Sequence, residues 1–270
     1  MPELPEVETV VRQLAPFLLK RVVRSLEIFD PKLDNPLKET VRGRPVRDVT
    51  RMGKQIVIGL APGPGDENPL WLGFHLRMTG RLIMDGRDSG QQQKHLRARL
   101  ALDRGAVNFY DIRRFGMLKF YHSLDAARPK GINPLSRRFT STMLEKLISG
   151  SRQQIKPWLL RQDRLVGIGN IYASEILFAA GIDPRKEAVN LTGAETRTLH
   201  RAIRKTLRLA IKHCGTTFSD FQDARGRTGS FQNLLSVYRR EGLACPRCGE
   251  PVVRIVQQQR STFFSPGCQQ

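Results

Sequence analysis

A chain of 270 residues can bury a sizeable core and has room for two domains with a small appendage. Forty-five Lys and Arg against 25 Asp and Glu give a net charge of +20 and an isoelectric point near 10.7, which selects a polyanionic partner, nucleic acid first among the candidates. No run approaches the roughly eighteen apolar residues of a spanning helix, and the acidic start lacks the apolar segment of a signal peptide, so membrane and secreted classes give way to a cytoplasmic, nucleoid-associated location.

The chain opens Met1-Pro-Glu-Leu-Pro-Glu-Val-Glu8. If Met1 is removed, Pro2 presents a secondary amine with carboxylates at Glu3, Glu6 and Glu8. An α-amino group titrates near pH 8 and a lysine near 10.4, so at pH 7 about a tenth of the former is already unprotonated. Attack of a secondary amine on an aldehyde-like carbon gives an iminium, an electron sink suited to elimination, and carboxylates can move the protons. The same residues also read as an ordinary helix start, with proline and glutamate in the first turn.

Val7, Val10, Val11 and Leu14 form one helical face, which Pro16 is expected to end. Strands are predicted at Val22–Ile28, Gln55–Leu60, Leu70–Leu76 and Leu96–Leu102, the last with clear alternation, and period two with one polar face implies an antiparallel sheet or sandwich. The Pro62–Gly65 loop and the Asp103-Arg104-Gly105 turn punctuate them. A Pro/Gly-containing connector at Ala126–Ser136 marks a boundary near residue 130. Helices follow at Ser141–Ser149, Ile155–Arg161, Ile171–Ala180 and Ala194–His213, the last with a Thr192/Glu195 capping box and a stop at Gly215. Thr216–Ser230 reads as a mobile loop. The expected domains are 1–130, 131–240 and 241–270.

Three of the four cysteines lie in the last 26 residues, and Cys214 reads as a buried thiol. Cys245-Pro-Arg-Cys248, nineteen residues, and Cys268 make three quarters of a zinc-ribbon pattern, with Ser265 in the position of the remaining ligand. Asp111-Ile-Arg-Arg-Phe-Gly116 sets arginines and an aromatic together, as in loops that wedge a duplex open, although a core phenylalanine with solvated arginines has the same spelling. Met78, in His75-Leu-Arg-Met-Thr-Gly80, is a second wedge or a core methionine. Val166-Gly-Ile-Gly-Asn170 between helical segments, with Lys156 upstream, fits a loop gripping a phosphate through backbone N–H groups and a helix N-terminus. Walker, metalloprotease and triad patterns are absent.

Taken together, the PELPEVE terminus, Gly53-Lys54, His75-Leu-x-Met-Thr-Gly80, Asp111-x-Arg-Arg-Phe-Gly116, Gly167-Ile-Gly-Asn-Ile-Tyr-Ala-Ser-Glu175, Val237-Tyr-Arg-Arg-Glu-Gly242 and the C-terminal ribbon resemble the bacterial formamidopyrimidine-DNA glycosylases, relatives of endonuclease VIII. Leu4, Val7 and the long segment after Gly215 are more like the oxidised-purine branch. The resemblance implies an α+β fold: an N-terminal antiparallel β-sandwich with flanking helices, then a helix-two-turns-helix domain ending in a β-ribbon zinc finger with one structural zinc on Cys245, Cys248 and Cys268. It implies Pro2 as nucleophile, Glu3 as acid/base and Lys54 as a catalytic lysine at the lesion. Met78, Arg113 and Phe115 resemble the trio that fills the void of a flipped nucleotide, with His75 and Arg114 in the same DNA-contacting motifs. Lys156, Asn170, Tyr238 and Arg260 look like phosphate clamps, and Glu6 and Glu175 like lesion-site or supporting carboxylates. Three positions depart from the pattern: Ser265 for cysteine, Arg77 for the usual glycine and Ile112 for a frequent proline.

The implied activity is a bifunctional glycosylase and abasic-site lyase, acting as a monomer on duplex DNA that carries oxidised purines or abasic sites, without a catalytic metal. A non-catalytic lesion- or structure-specific DNA binder would keep the wedges and clamps but has no use for Pro2, Glu3 and Lys54 together. An RNA-binding protein is favoured by charge, but aromatics make up only 7% of the chain, few for the stacking platforms RNA recognition uses.

Overall fold

The computed structural model describes residues 1–63, 65, 67–86 and 93–270; Pro64 of the expected Pro62–Gly65 loop lies outside the described residues. The chain forms two compact units, residues 1–128 with 213–232, and 129–212 with 233–270. Residues 213–232, grouped by the sequence with the helical domain, therefore belong to the first unit. Among the described residues no helix is long and apolar enough to cross a membrane.

The first unit opens with helix α1 (Leu4–Leu18) and contains eight strands: β1 (Val23–Ile28), β2 (Val46–Met52), β3 (Gln55–Leu60), β4 (Leu70–His75), β5 (Gly80–Met84), β6 (Leu96–Leu102), β7 (Ala106–Asp111) and β8 (Met117–Tyr121). They pair antiparallel in two four-stranded sheets, ordered β1-β6-β7-β5 and β2-β3-β4-β8. In β6 the alternation puts Ala98, Leu100 and Leu102 inside. Four strands are not evident in the sequence. Every residue of β7 is buried, Asn108 and Asp111 included, so it carries no alternation. A register shift between Val46 and Asp48 breaks the period of β2. Phe74 of one sheet and Phe109 of the other meet edge-on, centroids 5.7 Å apart, in a core completed by Val7, Val10 and Leu14 of α1.

Helix α1 passes Pro16 and ends at Leu18 rather than stopping at the proline. Pro16 sits in the last turn, where its missing N–H affects one bond, and burial of Leu14 and Leu18 in the core offsets that loss.

Residues 213–232 are pinned rather than loose. Thr216, Phe221, Ala224 and Phe231 are buried, and the Met84 amide donates to the Ala224 carbonyl at 2.9 Å. Gln13 donates to Asp223 at 2.8 Å and accepts the Ala224 amide at 2.9 Å. Cys214, expected inside, is half-buried in a left-handed conformation.

The second unit contains α2 (Ser141–Ile148), α3 (Ile155–Leu159), α4 (Asn170–Ala180), α5 (Gly193–Lys212) and the hairpin β9 (Val253–Gln257) and β10 (Arg260–Phe264). The capping box of α5 is present, with the Thr192 amide on Glu195 at 2.8 Å and the Glu195 amide on the Thr192 hydroxyl at 3.2 Å. Buried Tyr172, Ala173, Ile176 and Leu177 of α4 make it the central helix, with α5 and β10 packed on it.

Gly215 tests the return of 213–232. Its φ is +79°, and a Cβ there would lie 2.7 Å from Oε1 of Glu6. Gly215→Ala is expected to lower stability by about 1–3 kcal/mol in urea unfolding. An unchanged midpoint would mean the segment is not seated on Glu6.

Candidate active site and nucleic-acid interface

Pro2 and Glu3 are buried at the head of α1, where Glu3 is the N-cap of a capping box with Glu6. The Glu3 amide donates to Oε2 of Glu6 at 2.7 Å, and Oε1 of Glu6 accepts the Thr216 amide at 2.8 Å. Glu6 therefore clamps the terminus to the returning segment. Glu8 points elsewhere, to Arg51 at 2.9 Å and Arg12 at 2.8 Å. Burial pushes its carboxyl up, but the two guanidiniums outweigh this and hold it below the usual carboxylate range.

Lys54 occupies the tight turn joining β2 to β3, after Gly53 at φ +64°. The adjoining residue Gln55 pairs with His75 of β4. Burial, with the charges of Arg77, Lys54 and Lys119, brings His75 down to a pKa of about 4, so its ring is neutral at physiological pH. Nδ1 of His75 accepts the Arg77 amide at 3.1 Å, which leaves the ring proton on Nε2. Arg77 has φ +54°, a left-handed geometry that favours glycine, the residue the resemblance implies at this position.

Met78, Arg113 and Phe115 come together. Arg113 lies 3.3 Å from the Met78 sulfur and stacks over the Phe115 ring at 4.8 Å, while Met78 and Phe115 are 43% and 51% exposed. Both wedge candidates are thus surface side chains, not core. Asp111 organises the loop: its buried carboxylate accepts the amides of Arg113 at 3.2 Å and Gly116 at 2.6 Å and the Thr79 hydroxyl. Arg114 departs from its neighbour. At φ +57° it turns to the buried Asp30 in a bidentate pair of 2.8 and 2.6 Å, so this expected DNA contact is a loop anchor here. The roles of Asp30 and Thr79 are not evident in the sequence; that of Asp111 is hinted at only by its place at the head of the Arg-Arg-Phe run.

In the second unit Lys156 is fully buried, and its ammonium donates to Asn170 Oδ1 at 2.7 Å, the Ser261 carbonyl at 2.9 Å and the Thr262 hydroxyl at 2.7 Å. An ammonium has three donors, so Lys156 joins the start of α4 to the β9–β10 hairpin instead of projecting to a phosphate as expected. Asn170 also donates to the Ser261 carbonyl at 2.9 Å. Arg260 is exposed beside the tight turn at Gln258 and Gln259, and Tyr238 packs edge-on against Phe263. Glu175, expected as a lesion-site support, accepts the amides of Ser236, Val237 and Tyr238 at 2.9, 3.0 and 2.8 Å. It holds the segment bearing Tyr238. Burial raises its carboxyl above the usual range against the pull of those three donors.

The sulfurs of Cys245, Cys248 and Cys268 all lie within 4.8 Å of one another, Cys245 and Cys268 at 3.8 Å. A tetrahedral zinc with bonds near 2.3 Å spaces its sulfurs about 3.8 Å apart, so the three thiols fit that ion. The Ser265 hydroxyl, fully buried, lies 3.4 Å from the Cys248 sulfur and faces the same space. Burial pushes the Cys245 thiol up, but hydrogen bonds from Ser265 and the amides of Cys248 and Arg247 prevail and bring it down to about 6, favouring the thiolate a metal requires.

Three family models match in order: the formamidopyrimidine-DNA glycosylase N-terminal domain over residues 1–118, its H2TH domain over 131–222, and the zinc finger found in FPG and IleRS over 242–270. A formamidopyrimidine-DNA glycosylase of Laribacter hongkongensis is 41% identical over 278 residues, covering all of both chains, and that of Desulforamulus reducens is 39% identical over 281 residues, covering 100% of this chain and 99% of its own. The crystal structure of the MutM (FPG) protein from Thermus thermophilus superposes with a TM-score of 0.87 at 37% identity, covering 99% of this chain and 98% of that one. The Lactococcus lactis Fpg in complex with DNA containing an abasic site gives a TM-score of 0.87 at 31% identity over 99% of each chain.

A hydroxyl is a poorer zinc donor than a thiolate, so Ser265→Cys is expected to tighten zinc on the order of tenfold or more in chelator competition. Equal affinities would show that the three cysteines suffice. The depressed pKa of His75 also fixes a sign. A folded state that resists protonation loses stability as pH falls from the unfolded value near 6.5 toward the folded value of about 4. In NMR titration the His75 ring signals should stay constant from pH 8 to about 5.5; a midpoint at 6.5 would contradict the site's electrostatics.

Proposed function

The chain belongs to the formamidopyrimidine-DNA glycosylase family, and on that premise we propose that it excises oxidised purines, 8-oxoguanine and formamidopyrimidines, from duplex DNA and cleaves the resulting abasic site, in base excision repair at the bacterial nucleoid. The observation that carries this reading is the immobilised terminus: Pro2 and Glu3 are buried, and Glu6 ties the Glu3 amide to the Thr216 amide. A nucleophile fixed in one place avoids the entropic cost of ordering it in the transition state.

With Met1 attached the Pro2 nitrogen is an amide, so the reaction requires removal of Met1. The glycosidic carbon is inaccessible in the stack, and the damaged nucleotide is therefore flipped out. Phe115 wedges the opened step, Met78 fills the void and Arg113 faces the orphan base, an arrangement supported by their exposure and mutual contact. Asn170 and Arg260 hold phosphates. Lys54 sits at the lesion, its charge beside neutral His75.

The Pro2 lone pair forms a bond to C1′ as the glycosidic bond breaks; the base leaves with the electron pair of the glycosidic bond and takes up the proton that the Pro2 nitrogen gives up. Opening of the sugar ring, with Glu3 supplying the proton to O4′, gives the iminium at C1′. Loss of a C2′ proton to a carboxylate expels the 3′ phosphate by β-elimination. A second proton loss expels the 5′ phosphate by δ-elimination, and water hydrolyses the remaining iminium to an aldehyde, which restores the Pro2 amine.

Borohydride added during reaction with an 8-oxoguanine duplex should give a covalent protein–DNA adduct on the peptide that begins with Pro2. Failure to form it, or an active preparation whose sequence begins with Met, would overturn the mechanism. Lys54→Ala is expected to lower kcat/KM on the order of 10²-fold.

A further inference from the structure

Helix α5 carries a feature that none of these roles uses. Arg197, Arg201, Arg204, Lys205, Arg208 and Lys212 fall, at 3.6 residues per turn, within an arc of about 100° and span about 22 Å of helix axis. All are exposed except half-buried Arg204. Leu199, Ala202, Ile203, Leu207 and Ala210 lie on the opposite side, buried where α5 meets α2 and α4.

None of the six pairs with a carboxylate among the described residues. Arg201 donates to the Thr198 hydroxyl at 3.0 Å, and Arg204 to the carbonyls of Pro134 and Ser136 at 3.3 and 2.9 Å. Neighbours three and four residues apart therefore repel each other, which destabilises the helix until an anion neutralises the row. Burial and the charge of Arg208 both lower the pKa of Arg204. The row borders an open groove of about 590 Å³.

We propose that this face of α5 is a second binding surface for duplex DNA, taking an undamaged segment through its phosphates. A straight cationic row matches a rod of regularly spaced negative charge. Single-stranded nucleic acid would call for aromatic stacking platforms, and α5 has no aromatic residue other than half-buried His200. The proposal rests on the reading that Asn170 grips the lesion-bearing duplex. Asn170 begins α4, on which α5 packs with its other face, so a duplex on the row is a different segment from the one at Asn170. A protein holding two segments can pass directly from one to the other without a free intermediate.

The test uses full-length protein bound to a fluorescent lesion-containing duplex and chased with increasing unlabelled, undamaged duplex. For the native sequence the release rate should rise with chase concentration. In the triple variant Arg201→Gln, Lys205→Gln, Arg208→Gln it should level off, and the salt slope of undamaged-duplex binding should fall by about 3. A charge-preserving variant, Arg201→Lys with Arg208→Lys, should behave as native, and circular dichroism should match for all three. Release that depends equally on the chase in native and triple-variant proteins would overturn the proposal, as would single-stranded DNA chasing as effectively as duplex. Single-turnover excision should stay at the native rate in the triple variant. If the native protein itself excises nothing, the glycosylase reading fails, whatever the chase shows.

Discussion

A buried carboxylate, Glu6, is the constraint on which the head of the first unit depends. Removing a carboxylate from water is unfavourable unless donors replace the lost solvent. Here one donor is the amide of Glu3, the N-cap of α1, and another is the Thr216 amide, 210 residues beyond Glu6. The helix N-terminus favours negative charge at that point as well. Satisfying Glu6 thus does two things: it fixes Pro2 and Glu3 in space, and it requires the chain to return to the first unit after α5. The left-handed Gly215, which leaves room for the Glu6 side chain, belongs to the same arrangement.

Other acids in the chain follow the same rule. Asp111 accepts the Arg113 and Gly116 amides, Asp223 those of Arg225 and Arg227, and Glu175 three successive amides from Ser236 to Tyr238. Asp30 takes Arg114. A carboxylate presents two oxygens in one plane and can fix a loop at several points; Asp111, Asp30 and Glu175 each shape a segment that carries a candidate DNA-contacting side chain, while Asp223 shapes the returning segment. Among the described residues six acids, Glu3, Glu6, Asp30, Asp111, Glu175 and Asp223, are buried against three bases, Arg44, Arg51 and Lys156, so burial adds only slightly to the positive surface that the composition already dictates.

What was legible in the sequence was local. The alternation of β6 and the Thr192/Glu195 box of α5 each depend on neighbours within a few residues, and both are present. The spacing of the three cysteines likewise foretold their convergence. Distant partners decided the rest. Lys156 reads as a surface cation, but Thr262, 106 residues later, accepts its hydrogen bond. Arg113 and Arg114 are adjacent and chemically alike, yet Asp30 claims only the second. Thr216–Ser230 looks unstructured because it is polar, and its partners Glu6, Gln13 and Met84 lie far away in the first third of the chain.

The wedge loop shows how such arrangements bear on the proposed reaction. The Arg113 guanidinium covers one face of Phe115, a contact worth about 0.5–1 kcal/mol at an exposed site. For Phe115 to enter a base step while Arg113 turns to the orphan base, that contact must be given up. Stacking a base on an aromatic ring returns about 1–3 kcal/mol, and transfer of the half-exposed Phe115 and Met78 side chains out of water adds to it. Unstacking the step costs a few kcal/mol, least at a damaged pair. The balance is close to zero for intact DNA and turns favourable where the pair is already weakened. Asp111, by holding the loop backbone in place from within, keeps the ordering of that loop from being added to the cost.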